Sequence, residues 1–186
     1  SLRESLNLLP QDKLVTFSAN TTIDALTINA DYVSVSGLTV TGNATVTINV
    51  ENSVELDGTT VNGDLIVDDA IVGKVASLDN KFANDSKKGP KVQLKNSKAG
   101  NIHVKRNDTA IESDSVITEI TVAATVSLIN VDGTVTKVTV ESTAKLELSG
   151  NANISQVLLT TSVELALQIK GVVEKLAVSN PSAKIT

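Results

Sequence analysis

Ile117-Thr-Glu-Ile-Thr-Val-Ala-Ala-Thr-Val-Ser-Leu128 returns as Val135-Thr-Lys-Val-Thr-Val-Glu-Ser-Thr-Ala-Lys-Leu146 and again as Ile154-Ser-Gln-Val-Leu-Leu-Thr-Thr-Ser-Val-Glu-Leu165. It opens once more as Val173-Glu-Lys-Leu-Ala-Val178, and the starts lie 18, 19 and 19 residues apart. Each copy has a charged or amide residue at its third place (Glu119, Lys137, Gln156, Lys175), then two apolar residues flanking a third position, a polar corner and a second alternating run. Alternation inside a fixed period near 20 is the signature of a β-solenoid, in which each coil buries its apolar face only against its neighbours. The alignment predicts one inward column of Ile120, Val138, Val157 and Leu176, and a second of Val122, Val140, Leu159 and Val178.

Working toward the N-terminus, the repeat loosens. Val33-Ser-Val-Ser-Gly-Leu-Thr-Val-Thr-Gly42 recurs as Val54-Glu-Leu-Asp-Gly-Thr-Thr-Val-Asn-Gly63 with both glycines kept. Ala76-Ser-Leu-Asp-Asn80 reads as the coil after Val54–Gly58, with Asn80 at the glycine place, and Val92-Gln-Leu-Lys-Asn96 as a further copy after a longer excursion. Gly and Asn enter left-handed backbone conformations most cheaply, so their recurrence marks the corner at which each coil turns. The expected fold is all-β, a right-handed parallel β-helix of roughly eight coils of about 18–22 residues. Strands stacked about 4.8 Å apart make it a rod on the order of 40 Å long.

Composition fits a narrow coil. Val, Ile, Leu and Thr dominate, Met, Cys and Trp are absent, and Phe17, Tyr32 and Phe82 are the only aromatics. β-Branched side chains suit both the stacked interior and the pleated surface. Residues 1–11 read as an N-terminal cap: Leu2, Leu6 and Leu9 share a helical face, Ser1 can cap and Pro10 ends the run, which predicts a short amphipathic helix over the first coil. Residues 12–186 form the single solenoid domain. At its far end Ala183-Lys-Ile185 still follows the strand pattern, so the expectation is a section of a longer chain.

Charge is distributed in blocks. No basic residue lies between Lys13 and Lys74, where Asp24, Asp31, Glu51, Glu55, Asp57, Asp64, Asp68 and Asp69 fall. Eight of the 16 basic residues then crowd into Lys81 to Arg106, with the sole histidine, His103, among them. On a rod a sequence block is a spatial block, so Lys87, Lys88, Lys91, Lys95, Lys98, Lys105 and Arg106 are the candidate binding residues. Their partner would be an anionic cell-wall polysaccharide or another copy of the chain. The stretch around 82–91, Phe82-Ala-Asn-Asp-Ser-Lys-Lys-Gly-Pro90 and Lys91, interrupts the coil rhythm and is expected to project as a loop.

Other chemistries find little support. β-Helical lyases and hydrolases need a carboxylate cluster with a positioned base, or two carboxyls at a defined separation. Asp57 and Asp79, read as equivalent corners of adjacent coils, and the vicinal pair Asp68-Asp69 are the nearest approach, but Arg3 and Arg106 do not accompany them. His103 has no nucleophile to join and no second His for zinc, and reads as a surface residue between inward Ile102 and Val104. We therefore expect no catalytic residues, no metal and no cofactor. Three dispersed aromatics make no platform for crystalline polysaccharide. The outward row Thr121, Thr139, Leu158 and Ala177 breaks the threonine rank that ice binding would need. A net charge of −5 without aromatics among the lysines disfavours nucleic acid. No stretch approaches the ~18 apolar residues of a membrane span, and no signal-peptide pattern occurs within the sequence. Asn-x-Ser/Thr triplets at Asn20, Asn43, Asn84, Asn107 and Asn153 are what chance gives in an Asn- and Thr-rich chain.

Lys91-Val-Gln-Leu-Lys-Asn-Ser97, Gly100-Asn-Ile-His-Val-Lys105, Ile111, Thr118-Glu-Ile-Thr-Val122 and Val138-Thr-Val-Glu-Ser-Thr-Ala-Lys-Leu146 together carry a resemblance. Over about residues 54–150 the chain resembles the β-helical segments of large Gram-positive surface proteins that also carry S-layer homology domains. Leu94-Lys-Asn-Ser97 and Ser142-Thr-Ala-Lys-Leu146 match that family's recurring steps. The resemblance implies a secreted, wall-exposed spacer or adhesive module with no catalytic residues to transfer. No S-layer homology domain lies in the sequence, and the lysines at 87–91 have no counterpart in the pattern. The alternative is a carbohydrate-binding or polysaccharide lyase- or hydrolase-like β-helix.

Overall fold

The computed structural model describes residues 5–8, 14–70 and 87–186 of the chain. All described regular structure is β: 19 strands in one continuous sheet, every pairing parallel, coiled into about eight turns. The alternation seen in sequence sets the inside and outside of each strand, because successive side chains point to opposite faces.

Three faces result. The first is built from the N-terminal halves of β2 (Leu14–Ile23) and β4 (Val33–Val40), then β6 (Ser53–Asp57), β9 (Lys91–Lys95), β11 (Ala110–Ser113), β13 (Leu128–Val131), β15 (Lys145–Gly150), β17 (Glu164–Ile169) and β19 (Lys184–Ile185). The second holds the C-terminal halves of β2 and β4, β7 (Thr60–Val61) and the leading residues of β10 (Lys98–Val104), β12 (Val116–Val122), β14 (Thr134–Val140), β16 (Asn153–Leu159) and β18 (Val173–Val178). The third stacks β1 (Ser5–Leu8), β3 (Ala25–Ile28), β5 (Ala44–Val46) and β8 (Leu65–Val67) on the trailing residues of β10 to β18.

The two expected columns are present in register: Ile120, Val138, Val157 and Leu176, and beside them Val122, Val140, Leu159 and Val178. The same columns run back through Ile102, Leu65, Ala44 and Leu26, and through Val104, Val67, Val46 and Ile28. Members from Leu26 and Ile28 to Val157 and Leu159 are buried, whereas Leu176 and Val178, in the last coil described, are 37% and 44% exposed. Coil corners also follow expectation. Gly37, Gly58 and Asn96 occupy one corner with φ of +77°, +56° and +47°, the left-handed region that glycine and asparagine tolerate. At the next corner Gly42, Gly63 and Gly100 stack so closely that a Cβ on Gly63 would meet the Gly42 carbonyl oxygen at 2.6 Å.

Two expectations are corrected. No helix occurs among the described residues, and in place of the expected capping helix residues 5–8 form strand β1, paired with β3; residues 1–4 and 9–11 lie outside the described residues. Leu8 is buried while Asn7 is exposed, so alternation won over the helical spacing: β3 offers a row of unpaired backbone groups that a strand satisfies directly. Secondly, the coil next to Val54–Val67 is not Ala76–Asn80, which lies outside the described residues, but Lys91–Val104. β6 pairs with β9, and β7 and β8 both pair with β10. The coil that ends with β8 and the coil that begins with β9 are therefore direct neighbours in the stack.

Candidate functional site

The candidate basic residues do not gather on one surface. Lys91 and Lys95 project from the first face, Lys98 from the second, and Lys87, Lys88 and Lys105 stand at the corner between the third and first faces. Lys87 and Lys88 lie at the foot of the expected projecting loop, beside buried Gly89 and Pro90, while residues 82–86 are outside the described residues. Lys91 is a strand residue of β9.

Three of these lysines already have anionic partners in neighbouring coils. Lys87 Nζ stands 3.2 Å from Glu51 Oε1, Lys91 Nζ 2.5 Å from Glu112 Oε2 and Lys95 Nζ 2.6 Å from Glu55 Oε2. Strand pairing produces this compensation: β9 lies between β6 and β11, so its lysines fall beside acidic residues of both. The hydrogen bond from Lys95 holds the Glu55 carboxyl below the usual carboxylate range, against the opposing effect of burial, and a second bond from Ser34 assists. Lys95 is shifted upward by the same partnership. Lys88, Lys98 and Lys105 are exposed and make no ion pair with a described residue.

Arg106 departs furthest from expectation. It is only 2% exposed, so it is absent from the basic surface. One terminal nitrogen, Nη1, donates to the carbonyls of Thr47 (3.1 Å) and Val50 (2.6 Å), and Nη2 donates to the carbonyl of Lys88 (2.7 Å). Nε finds no partner. Burial pulls the guanidinium below its ordinary value while Glu51 and Asp31 oppose that shift.

The expected acidic pairs disperse in the same way. Asp57 lies opposite Lys95 rather than Asp79, which is outside the described residues. Asp68 uses Oδ1 to accept from the backbone N–H groups of Asp69 and Ala70, capping a turn. His103 sits half-buried on the outer side of β10 between fully buried Ile102 and Val104. Thr121, Thr139, Leu158 and Ala177 do form one row on the outer side of the strands, interrupted where the sequence indicates, but Thr121 and Thr139 are buried there, their hydroxyls donating to Asn101 Oδ1 and Glu119 Oε1. Three of the glycosylation-type asparagines serve the corners: Asn43, Asn107 and Asn153 accept through Oδ1 from the backbone N–H of Asp64, Thr125 and Val172 in the following coil.

One polar network escaped the sequence reading. Thr59, Ser97 and Ser115 are buried just past the first corner. Ser97 Oγ accepts from Thr59 N–H (3.1 Å) and Ser115 Oγ accepts from Ser97 N–H (2.9 Å), so hydroxyls knit three coils where the backbone turns away from the ladder. The available signal was the recurrence of Gly58-Thr59, Asn96-Ser97 and Asp114-Ser115.

A depression with charged residues in its lining runs along the first face between Gln93, Lys95, Glu112, Asp114 and Asp132. It is open and shallow, and two of its carboxylates are committed to structure. Asp114 accepts from Asn96 N–H (2.8 Å) and Asp132 from Asn151 N–H (3.0 Å). Among the described residues no group of three or more His, Asp or Glu side chains is placed to hold a metal ion.

No protein-family model, curated protein or solved structure matches this chain.

Proposed function

We propose that this chain is a structural β-solenoid section of a bacterial cell-surface protein, a stiff spacer that holds other parts of a longer polypeptide apart. One observation carries the reading: the charged side chains of the first face pair with one another from coil to coil, Lys95 with Glu55, Lys91 with Glu112 and Lys145 with Glu164. A binding face for a charged polymer keeps its cations available, whereas these lie beside carboxylates of the rod itself. The resemblance to Gram-positive wall-associated β-helices supports the setting, outside the cell and associated with an S-layer. Right-handed winding belongs to the same proposal, because parallel strand–connection–strand units take that hand in about 98% of cases.

A second reading, adhesion to carbohydrate, draws on the depression lined by Gln93, Lys95 and Glu112. An array of neutral and acidic oligosaccharides separates the two. The spacer reading expects no glycan to be retained at about 0.15 M salt, and no turnover of pectate, alginate, xylan or β-glucan with or without calcium. Retention abolished by Gln93→Ala and Glu112→Gln together would replace it with the carbohydrate reading. The setting is tested separately by proteolytic shaving of intact cells of the source organism, which should release peptides of this chain before the cells lyse.

A further inference from the structure

The corner joining the third face to the first is short in every coil but one. Its connections are residues 29–32, 47–52, 105–109, 123–127, 141–144, 160–163 and 179–183, against 68–90 at the excursion. The chain leaves this corner where Asp68 N–H bonds to the Val46 carbonyl (2.9 Å). It returns where Gly89 N–H bonds to the Asn107 carbonyl (2.9 Å) and Lys91 N–H to the Asn52 carbonyl (2.8 Å). The turn at 47–52 presents two buried carbonyls at this corner: that of Thr47 already accepts from Val50 N–H (3.0 Å), whereas that of Val50 is met by a side chain from the coil beyond. A buried acceptor left unpaired forfeits a hydrogen bond.

We propose that Arg106 is the keystone of this corner: its guanidinium joins the Thr47 and Val50 carbonyls of one coil to the Lys88 carbonyl at the point of return, and so fixes where the chain rejoins the rod ahead of β9. The three bonds span 59, 56 and 18 residues of sequence. A planar fork with five donors suits three carbonyls at once, which an ammonium on a flexible stem does not. The unpartnered Nε fits the same account, since the fork is placed by its three carbonyl contacts and not by full satisfaction of its own donors. Arg106 is thus a positioning residue: it holds the peptide that carries Lys87 and Lys88 against the rod, and Lys87 then reaches Glu51 at 3.2 Å. The inference does not depend on the spacer reading.

Limited trypsin digestion of the whole chain tests it, with the first residue of the C-terminal fragment read by mass spectrometry. In the wild type the peptide bonds after Lys87 and Lys88 should resist. In Arg106→Met, fragments beginning at Lys88 or Gly89 should form at least about tenfold faster, as expected when charge-assisted hydrogen bonds are lost from a locally opening segment. Arg106→Lys should fall between them. Cleavage at these bonds that is unchanged in both folded variants overturns the proposal. Should Arg106→Met fail to fold, Arg106→Lys and the wild type still decide. In arginine-labelled wild-type protein, with Arg3→Lys for assignment, the Arg106 Nη protons should give resolved, slowly exchanging NMR signals. A single averaged, rapidly exchanging signal would equally overturn the keystone.

Discussion

Glu55 and Lys95 show how a single exposed pair follows from strand register. β6 and β9 align Asp57 with Lys95 and place Glu55 two residues back on the same outer side, within reach of the ammonium. Because the carboxyl is held below its ordinary value of 4.5, the stabilisation is present above that value and fades as pH falls through the lowered one. Half of the Lys95 side chain is in solvent, so the effect is modest. We expect Glu55→Gln to cost about 0.5 kcal/mol at neutral pH and progressively less as the pH is lowered from neutral into acid. Thermal melts of both proteins across that range check this. A gap that persists or widens in acid would mean that the residue acts through packing and not through charge. Leu94-Lys-Asn-Ser97, the step that carries the family resemblance, also resolves into separate tasks at this scale. Leu94 stacks inward, Asn96 turns the corner at φ +47°, and Ser97 joins the hydroxyl ladder. These are demands of any such coil, so the step reports fold and carries no information about a ligand.

Among the elements, the columns of β12, β14, β16 and β18 were legible from sequence because a fixed spacing and a period of two leave one consistent alignment. The N-terminal strand was not, since Leu2, Leu6 and Leu9 suit a helix while Leu6 and Leu8 suit a strand. Only the open edge of β3 decides between them. Ala76–Asn80 misled for a related reason: a five-residue pattern says what a segment resembles, not which strand it lies beside. Arg106 was illegible, because its neighbours Lys105 and Asn107 are exposed and nothing local turns it inward. The depth of a column gives a sharp prediction. Val157→Asp places a carboxylate in a fully buried position, at a cost of several kcal/mol against a total of about 5–15, and should abolish folding. Leu176→Asp occupies the next place in the same column but is 37% exposed, and should leave a folded protein. Circular dichroism melts separate the outcomes; equal loss from both changes would contradict the stacking order.

At the scale of the whole molecule, about eight turns at roughly 4.8 Å each predict a rod on the order of 40 Å long. Small-angle scattering should give an elongated particle, and a compact sphere would be incompatible with it. Lys87, Lys88 and Lys91 offer a second test at this scale. Changing all three to Gln removes two paired and one unpaired exposed charge, so thermal stability should fall by no more than about 1 kcal/mol. If the rod binds cell walls or itself through these charges, that association should weaken on raising salt from 0.1 M to 1 M, as the screening length shrinks from about 10 to about 3 Å. Association indifferent to both salt and the triple change would remove these lysines from any binding role.

The excursion between β8 and β9 also bears on how the rod is assembled in time. Across most corners the chain meets itself after 17 to 21 residues, as Thr143 does with Val126 and Ser34 with Glu55. At the seam Thr59 must find Ser97, 38 residues away. Doubling a loop costs only about 0.6 kcal/mol of closure entropy, but it falls on a single step of an otherwise uniform zipper. Folding that starts in either portion should therefore run quickly to the seam and pause there, so that the rate of joining the two portions, and not the formation of any one coil, paces the whole chain.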